Sequence, residues 1–267
     1  MRQTASPAGT DAVGGGSALS VTGLRKEFAL RTGGRLVVLD DISFDASPGE
    51  FVAVVGPSGC GKTTLLKILS GRLEPSAGDV SVHGGHLDRK KVGVVFQEAS
   101  LFPWRSVRDN AVFGVDLYVR RGRRNLLRAR TSELLEKVGL AGFQTYFPSE
   151  ISGGMQQRTN LVRALAIAPE FLLMDEPFGS LDAQTREGLQ TELQHIAIEA
   201  QCTIVFVTHD IREAIYLADR VLILSKQPTR IARTIEIPTP RPRDLPYQTS
   251  TEFNELTREA WSTLRGL

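Results

Sequence analysis

One run of residues, Gly56-Pro57-Ser58-Gly59-Cys60-Gly61-Lys62-Thr63, constrains this chain more than any other part of it. An apolar stretch, Phe51-Val52-Ala53-Val54-Val55, leads into the run, and a helical pattern follows. Glycines let the backbone curl so that successive N–H groups point inward, which suits phosphate oxygens. A helix opening near Gly61 would add its positive N-terminal end. Lys62 supplies a mobile charge for the outer phosphates, the Thr63 hydroxyl can ligate Mg²⁺, and Thr64 adds an inner phosphate contact. Strand, glycine loop and helix in that order predict an α/β fold with an ATP site, Mg²⁺ as cofactor, and Gly56 to Thr64 as its cradle.

The rest of the chain fits that frame. From Leu19 to Asp45 apolar residues alternate around Thr32-Gly33-Gly34, which predicts antiparallel hairpin material. Two further apolar runs, Phe171 to Met174 and Thr203 to Val207, read as strands buried on both faces of a parallel sheet. After a cap at Asp182, the spacing of Leu189, Leu193, Ile196, Ala197 and Ala200 predicts a helix. Buried strands alternating with helices imply a three-layer core. Residues 97–163 carry helical patterns and few strand patterns, and read as a helical insertion. The expected layout is a disordered tail over 1–18, an ATPase domain over 19–228, and a C-terminal part over 229–267. That last part is read as a strand, a Pro-rich linker from Pro238 to Pro246 and a short amphipathic helix. Its apolar positions are Phe253, Leu256, Ala260, Trp261 and Leu264, with Thr249 and Glu252 as a capping box.

Composition narrows the function classes. The 267 residues carry 32 Lys plus Arg against 30 Asp plus Glu, and a net charge of +2 argues against a nucleic-acid partner. The local run Arg120-Arg121-Gly122-Arg123-Arg124 reads as a solvated turn before a helix. Cys60 and Cys202 offer neither metal spacing nor a disulfide framework, as a reducing cytoplasm would favour. The N-terminal residues lack the apolar core of a signal peptide, and no apolar run is long enough to span a bilayer. Work at a membrane would require partners.

Phosphate-loop ATPases need a carboxylate for the magnesium shell, at the end of a neighbouring strand. Asp175 closes the run from Phe171 and suits that role; Glu176 would then face the γ-phosphate, where a carboxylate can orient and deprotonate water. Taken alone, such an acidic pair could simply cap a loop. His209 ends the run from Thr203 and reads by itself as either structural or catalytic. His83, His86 and His195 receive no role. In isolation Phe28 could be an ordinary strand aromatic, Gln97 a polar loop residue, and Ser152-Gly153-Gly154 a flexible turn capping a helix.

Together these segments resemble a known family. Ile151-Ser152-Gly153-Gly154-Met155-Gln156-Gln157-Arg158 resembles the signature sequence of the ABC transporter ATPases, with Met155 where the familiar form has Gln. Gln97 is similar to the family's Q-loop residue, Ser180-Leu181-Asp182 to its D-loop and His209 to its switch histidine. Phe28 lies where the family stacks an aromatic on adenine, and the likeness spans residues 19–228. The resemblance implies a RecA-like three-layer core with an N-terminal antiparallel β subdomain and a helical subdomain. It implies ATP and Mg²⁺ as cofactors, with Glu176 and His209 catalytic. Phe28, Gln97, Ser152, Gly153, Gly154 and Asp182 would touch nucleotide, and Thr63, Gln97 and Asp175 the metal. One phosphate loop and one signature imply a homodimer that sandwiches ATP.

Narrower features resemble bacterial importers of the nitrate, sulfonate and taurine group: Gln97 to Arg105, Met155, Met174 to Asp182, and Pro240-Arg241-Pro242-Arg243-Asp244. They imply a motor subunit on the cytoplasmic face of the inner membrane, driving uptake of a small anion. Its partners would be permease subunits and, indirectly, an extracytoplasmic solute-binding protein. Leu101-Phe102-Pro103-Trp104 reads as the docking surface for such a permease, or else as a loop folded into its own core. The competing reading is a cytoplasmic ABC ATPase with no permease. An unrelated phosphate-loop kinase or GTPase would leave Gln97 and Ser152-Gly153-Gly154 unexplained.

Overall fold

The computed structural model describes residues 18–31, 33–86, 88–179 and 181–267. The expected tail falls almost wholly outside them. Its last residue, Ala18, is buried, and its amide donates to Ala46 O at 2.8 Å. Thr32 and Ser180 also lie outside the described residues.

The elements run β1 (Leu19–Ala29), β2 (Arg35–Ala46), β3 (Phe51–Val55), α1 (Lys62–Leu69), β4 (Ala77–Val82), β5 (Gly85–His86) and β6 (Val92–Val95). Next come α2 (Val107–Ala111), α3 (Phe113–Tyr118), α4 (Arg121–Lys137), α5 (Gly153–Leu165), β7 (Phe171–Asp175) and α6 (Ala183–Ala200). The chain ends with β8 (Thr203–Thr208), α7 (Ile211–Leu217), β9 (Arg220–Leu224), β10 (Ile231–Glu236) and α8 (Thr251–Arg265). Residues 19–46 form the expected antiparallel pair, extended to a four-stranded sheet in the order β2-β1-β4-β5. The second sheet has six strands in the order β10-β9-β3-β8-β7-β6, parallel except for β10.

The apolar runs bury both faces of that second sheet because successive side chains alternate across it. Phe51, Ala53 and Val55 pack with α5, α6, α7 and α8; Val52 and Val54 pack with α1 and the antiparallel sheet. Ile204 and Phe206 likewise face the first group, Val205 and Val207 the second. Three layers result. The helices α2 to α5 intervene between β6 and β7, where the sequence suggested a helical insertion.

Three local expectations are corrected. Asp175 was expected at the end of a strand neighbouring the one that feeds the phosphate loop, but β8 sits between β3 and β7. The cap of α8 is Ser250, whose hydroxyl accepts from Phe253 N at 3.1 Å; Glu252 instead accepts from the Tyr247 hydroxyl at 2.8 Å. Ser250 prevails because the 3₁₀ turn Leu245–Thr249 delays the helix start by one residue. Within the apolar stripe of α8, Phe253 and Ala260 are buried, whereas Trp261 is half exposed under Arg265. The Arg120 to Arg124 run is exposed or half-buried as expected, but lies in the first turn of α4 itself, where Arg124 Nε donates to Val119 O.

Candidate functional site

The carboxyl ends of β3, β8 and β7 converge, and the loops leaving them bound one cavity of about 600 Å³. Its lining includes Ser58, Gly59, Gly61, Lys62, Thr63 and Thr64 from the glycine loop and α1. Glu176, just past β7, and His209, just past β8, face the same space. Ligands of parallel α/β sheets bind at this end of the strands, where the chain can leave the sheet without covering it.

The loop owes its shape to backbone freedom. Gly59 has φ +73° and Gly61 φ +113°, a region that L side chains rarely adopt. A Cβ on Gly61 would also lie 2.8 Å from Val38 Cγ1. Lys62 is buried, and its ammonium donates to Gly56 O at 2.8 Å and Pro57 O at 3.0 Å. The first amides of α1, which no helical carbonyl can satisfy, open beside it. Cys60 is a buried free thiol whose pKa is pushed up by that burial, which leaves it an inert packing group.

The acidic pair divides by environment. The Asp175 carboxyl is pushed above the usual range, first by burial and then by the charge of Glu176, with the nearby Thr63 hydroxyl and Lys62 pulling the other way. Glu176 adopts φ 44°, left-handed for a non-glycine residue. Two backbone bonds hold it there: its N–H donates to Val207 O at 2.9 Å, and Gly179 N donates to Glu176 O at 3.2 Å. Its Oε2 lies 2.9 Å from His209 Nδ1. Asp175 and Thr63 thus present a pair of hard oxygens, a donor set that fits Mg²⁺, and burial of the carboxyl would favour a cation beside it. Among the described residues no group of three or more His, Cys, Asp or Glu is arranged to hold a metal.

The other anticipated residues lie elsewhere. Gly56, Pro57, Cys60 and Asp175 support the cavity without lining it, and Phe28 sits on the β1–β2 hairpin, 38% exposed, under Lys26. Gln97 is exposed, with its Nε2 3.4 Å from where a Cβ on Gly179 would stand. Ser152 caps α5 by accepting from Met155 N at 3.3 Å; Asp182 caps α6 by accepting from Thr185 N at 3.0 Å. That bond and one from the Thr185 hydroxyl hold the Asp182 carboxyl below its ordinary range. The first turns of the two helices meet because Gly154 allows it: a Cβ there would lie 2.5 Å from Thr185 Cγ2. Ser152, Gly153 and Asp182 are exposed on a surface apart from the cavity.

The profile of the ABC transporter family matches residues 39–179, more than half of the chain. The chain belongs to the ABC transporter family. This ABC ATPase is 44% identical over 256 residues to an uncharacterized ABC transporter ATP-binding protein of Methanocaldococcus jannaschii, covering 92% of this chain and 91% of the relative. It is 43% identical over 244 residues to the aliphatic sulfonates import ATP-binding protein SsuB of Bacillus cereus, covering 90% and 93%. It is 44% identical over 231 residues to the nitrate import ATP-binding protein NrtC of Synechococcus elongatus, 84% of this chain but 35% of that longer protein. A dimeric ATP-binding cassette in a post-hydrolysis state with ADP and inorganic phosphate superposes with a TM-score of 0.71 at 28% identity, covering 83% of this chain and 99% of that one.

Sequence reasoning missed several residues around this ABC site. Asn110 is fully buried; it accepts from Phe102 N at 2.8 Å and donates to Phe102 O, Arg105 O and Ser106 O, folding the loop that carries Trp104. Gln157 of α5 donates to Phe96 O at 3.1 Å, tying the signature helix to the backbone just before Gln97. Arg241 and Arg243, noted only as part of a family-like tail, are structural ties. Arg241 pairs with Asp219 at 2.7 Å; Arg243 donates to Ile215, Tyr216 and Ala218 carbonyls at the end of α7. A lone buried polar residue in a helix leaves no periodic signal, so only contacts reveal it.

Proposed function

We propose that this ABC ATPase is the motor subunit of a bacterial importer, working as a homodimer and energising uptake of a small anion such as nitrate, a sulfonate or taurine. The observation that carries the catalytic half is the meeting of Lys62, Thr63, Glu176 and His209 around one cavity from three separate strand ends. ATP is held with its phosphates on the Gly56 to Thr64 backbone. Lys62 exchanges the carbonyls of Gly56 and Pro57 for phosphate oxygens, a stronger charge-assisted partner. Thr63 and Asp175, with Gln97 completing the set, would hold Mg²⁺, which neutralises phosphate charge when bound. Glu176 takes the proton of an attacking water, and His209, hydrogen-bonded to it, orients the carboxylate.

Ser152, Gly153, Gly154 and Asp182 complete the site of the other protomer. Their exposure away from the chain's own cavity supports that sharing, as does the dimeric state named for the solved cassette. Phe28 stacks on adenine. Attachment to permease subunits at the cytoplasmic membrane face is supported by Trp104, 72% exposed and tilted against Phe102 with ring centroids 5.6 Å apart, beside a groove of about 490 Å³. No helix among the described residues is long and apolar enough to cross a membrane, so the membrane step falls to that partner. The named relatives support nitrate or sulfonate as cargo class.

The test is reconstitution of the chain with the permease and solute-binding protein encoded beside it. Labelled nitrate, an alkanesulfonate and taurine are offered in turn to proteoliposomes. ATP-dependent uptake of one of them, abolished by Glu176→Gln, is the expected result. ATP hydrolysis that the permease does not stimulate, with no uptake of any of the three, would overturn the importer reading.

A further inference from the structure

Two side chains outside every recognisable motif hold the phosphate loop from the connection between β9 and β10. Gln227 Nε2 donates to Gly59 O at 2.7 Å, and Thr229 Oγ1 donates to Cys60 O. Thr229 is fully buried and runs beside β2 as well: its N–H donates to Val38 O at 3.0 Å, and its carbonyl accepts from Asp40 N at 2.9 Å. Val38 and Leu39 of that strand close on Gly61, where a Cβ would lie 2.8 Å and 3.1 Å from their methyl carbons and 3.8 Å from Thr229 Oγ1. The antiparallel sheet, the β9–β10 connection and the loop are thereby joined at one point.

The direction of each tie matters because a trans peptide sets its N–H opposite the preceding carbonyl. Holding Gly59 O toward Gln227 turns Cys60 N–H the other way, where it closes the turn onto Pro57 O at 3.2 Å. Holding Cys60 O toward Thr229 turns Gly61 N–H away from the tie; Gly61 lines the cavity. Three other carbonyls of the loop are occupied too: Gly56 and Pro57 accept from Lys62, and Gly61 accepts from Leu65 N at 2.9 Å. A carbonyl turned into the cavity would set a partial negative charge against phosphate, and a glycine-rich backbone is free to make that turn.

We propose that Gln227 and Thr229 are positioning residues for the nucleotide phosphates, holding the Gly59–Gly61 backbone in its anion-receiving form before nucleotide arrives. The proposal rests on the reading of Gly56 to Thr64 as the nucleotide loop. It implies that affinity for ATP depends on a connection more than 150 residues downstream of the loop, since Gln227 and Gly59 are 168 positions apart.

The test uses the full chain with Thr229→Val, Gln227→Leu, Thr229→Ser and Lys62→Ala. Binding of a fluorescent ATP analogue and of ADP is titrated at nanomolar protein, beside melting curves without nucleotide and steady-state hydrolysis. Thr229→Val and Gln227→Leu should each weaken both nucleotides by the same factor, about three- to tenfold, the loss of one hydrogen bond that shapes the site. Thr229→Ser keeps the donor and should restore affinity. The defect should fall on KM and leave kcat at saturating ATP nearly unchanged, because the ties end on the loop backbone and not on Glu176 or His209. A merely structural role would lower the melting temperature without changing the affinity of the folded protein. Wild-type affinity in both Thr229→Val and Gln227→Leu, or equal loss in Thr229→Ser, would overturn the proposal. Should Thr229→Val fail to fold, the exposed Gln227→Leu decides alone. If Lys62→Ala binds ATP as well as wild type, the loop reading and the proposal fall together; if it loses binding while the ties prove silent, only the proposal falls.

Discussion

Replacing Glu213 by Gln should stabilise the fold at alkaline pH and leave it unchanged in acid. Glu213 lies on α7, 7% exposed, four residues past His209. Thr208 Oγ1 donates to one of its oxygens at 2.5 Å, and Gln190 Nε2 donates to the other at 2.9 Å. Burial is the largest influence and pushes its pKa up from 4.5 to about 7, helped by the charge of Asp210 and opposed by those two bonds and by Arg186. The folded pKa therefore lies above the unfolded one, and the folded state holds the proton more tightly. Below about pH 4.5 both states are protonated and the stability is fully present; as pH rises through the window up to about 7, the unfolded chain ionises first and stability is lost. At about 1.4 kcal/mol per pKa unit the loss levels off at about 3 to 4 kcal/mol above pH 7. Glutamine cannot ionise and fits the same partners, its amide NH₂ donating to Thr208 Oγ1 and its oxygen accepting from Gln190. Urea unfolding of both proteins, followed from acid to alkaline pH without nucleotide, should show a difference that grows from near zero and then levels off. A variant that is less stable than wild type in alkali, or a difference that does not change with pH, would refute the reasoning.

Four further outcomes are expected. Glu176→Gln keeps the shape of the side chain but is a poor base, so hydrolysis should fall by about 10² to 10⁴ while ATP still binds. A dimer should then persist on a sizing column with Mg-ATP and disperse with ADP; normal hydrolysis would pass the role of base to His209. Ser152→Arg should leave ATP affinity of the isolated protomer near wild type, titrated at nanomolar protein, and abolish ATP-driven dimerisation measured by light scattering. Trp104→Ala should leave ATP affinity intact and weaken co-purification with the permease by about tenfold or more, as removal of an interface aromatic does. Arg243→Met fills the volume but strands the carbonyls of Thr239, Ile215, Tyr216 and Ala218, so stability should drop by about 3 to 5 kcal/mol in chemical denaturation.

Legibility in the sequence followed periodicity and local chemistry. The loop from Gly56 to Thr63, the apolar runs that became β3, β7 and β8, and the Asp182 cap each carry their signal within a few residues, where glycine freedom, alternation or capping acts. The strands β4, β5, β6 and β9 carry no comparable signal: β4 and β5 are mostly exposed and show no clean period, while β6 and β9 are buried apolar runs so short that periodicity alone does not tell them from helical segments. The Thr249 cap missed by one residue because capping propensity alone does not choose between adjacent hydroxyls when a preceding turn sets the start.

The sequence by itself determined a glycine-rich loop with Lys62 and Thr63 at its end, since those residues are contiguous and their geometry is local. Only the tertiary structure decided that β8 stands between β3 and β7, and so that His209 meets Glu176 at 2.9 Å. Only it brought the first turns of α5 and α6 together, Gly154 against Thr185, and left Ser152 and Asp182 outside the cavity. The ties from Gln227 and Thr229 to Gly59 and Cys60 belong to the same class. Hydrogen bonds between residues far apart in the chain are set by how the sheets stack, and no local pattern of residues encodes that stacking.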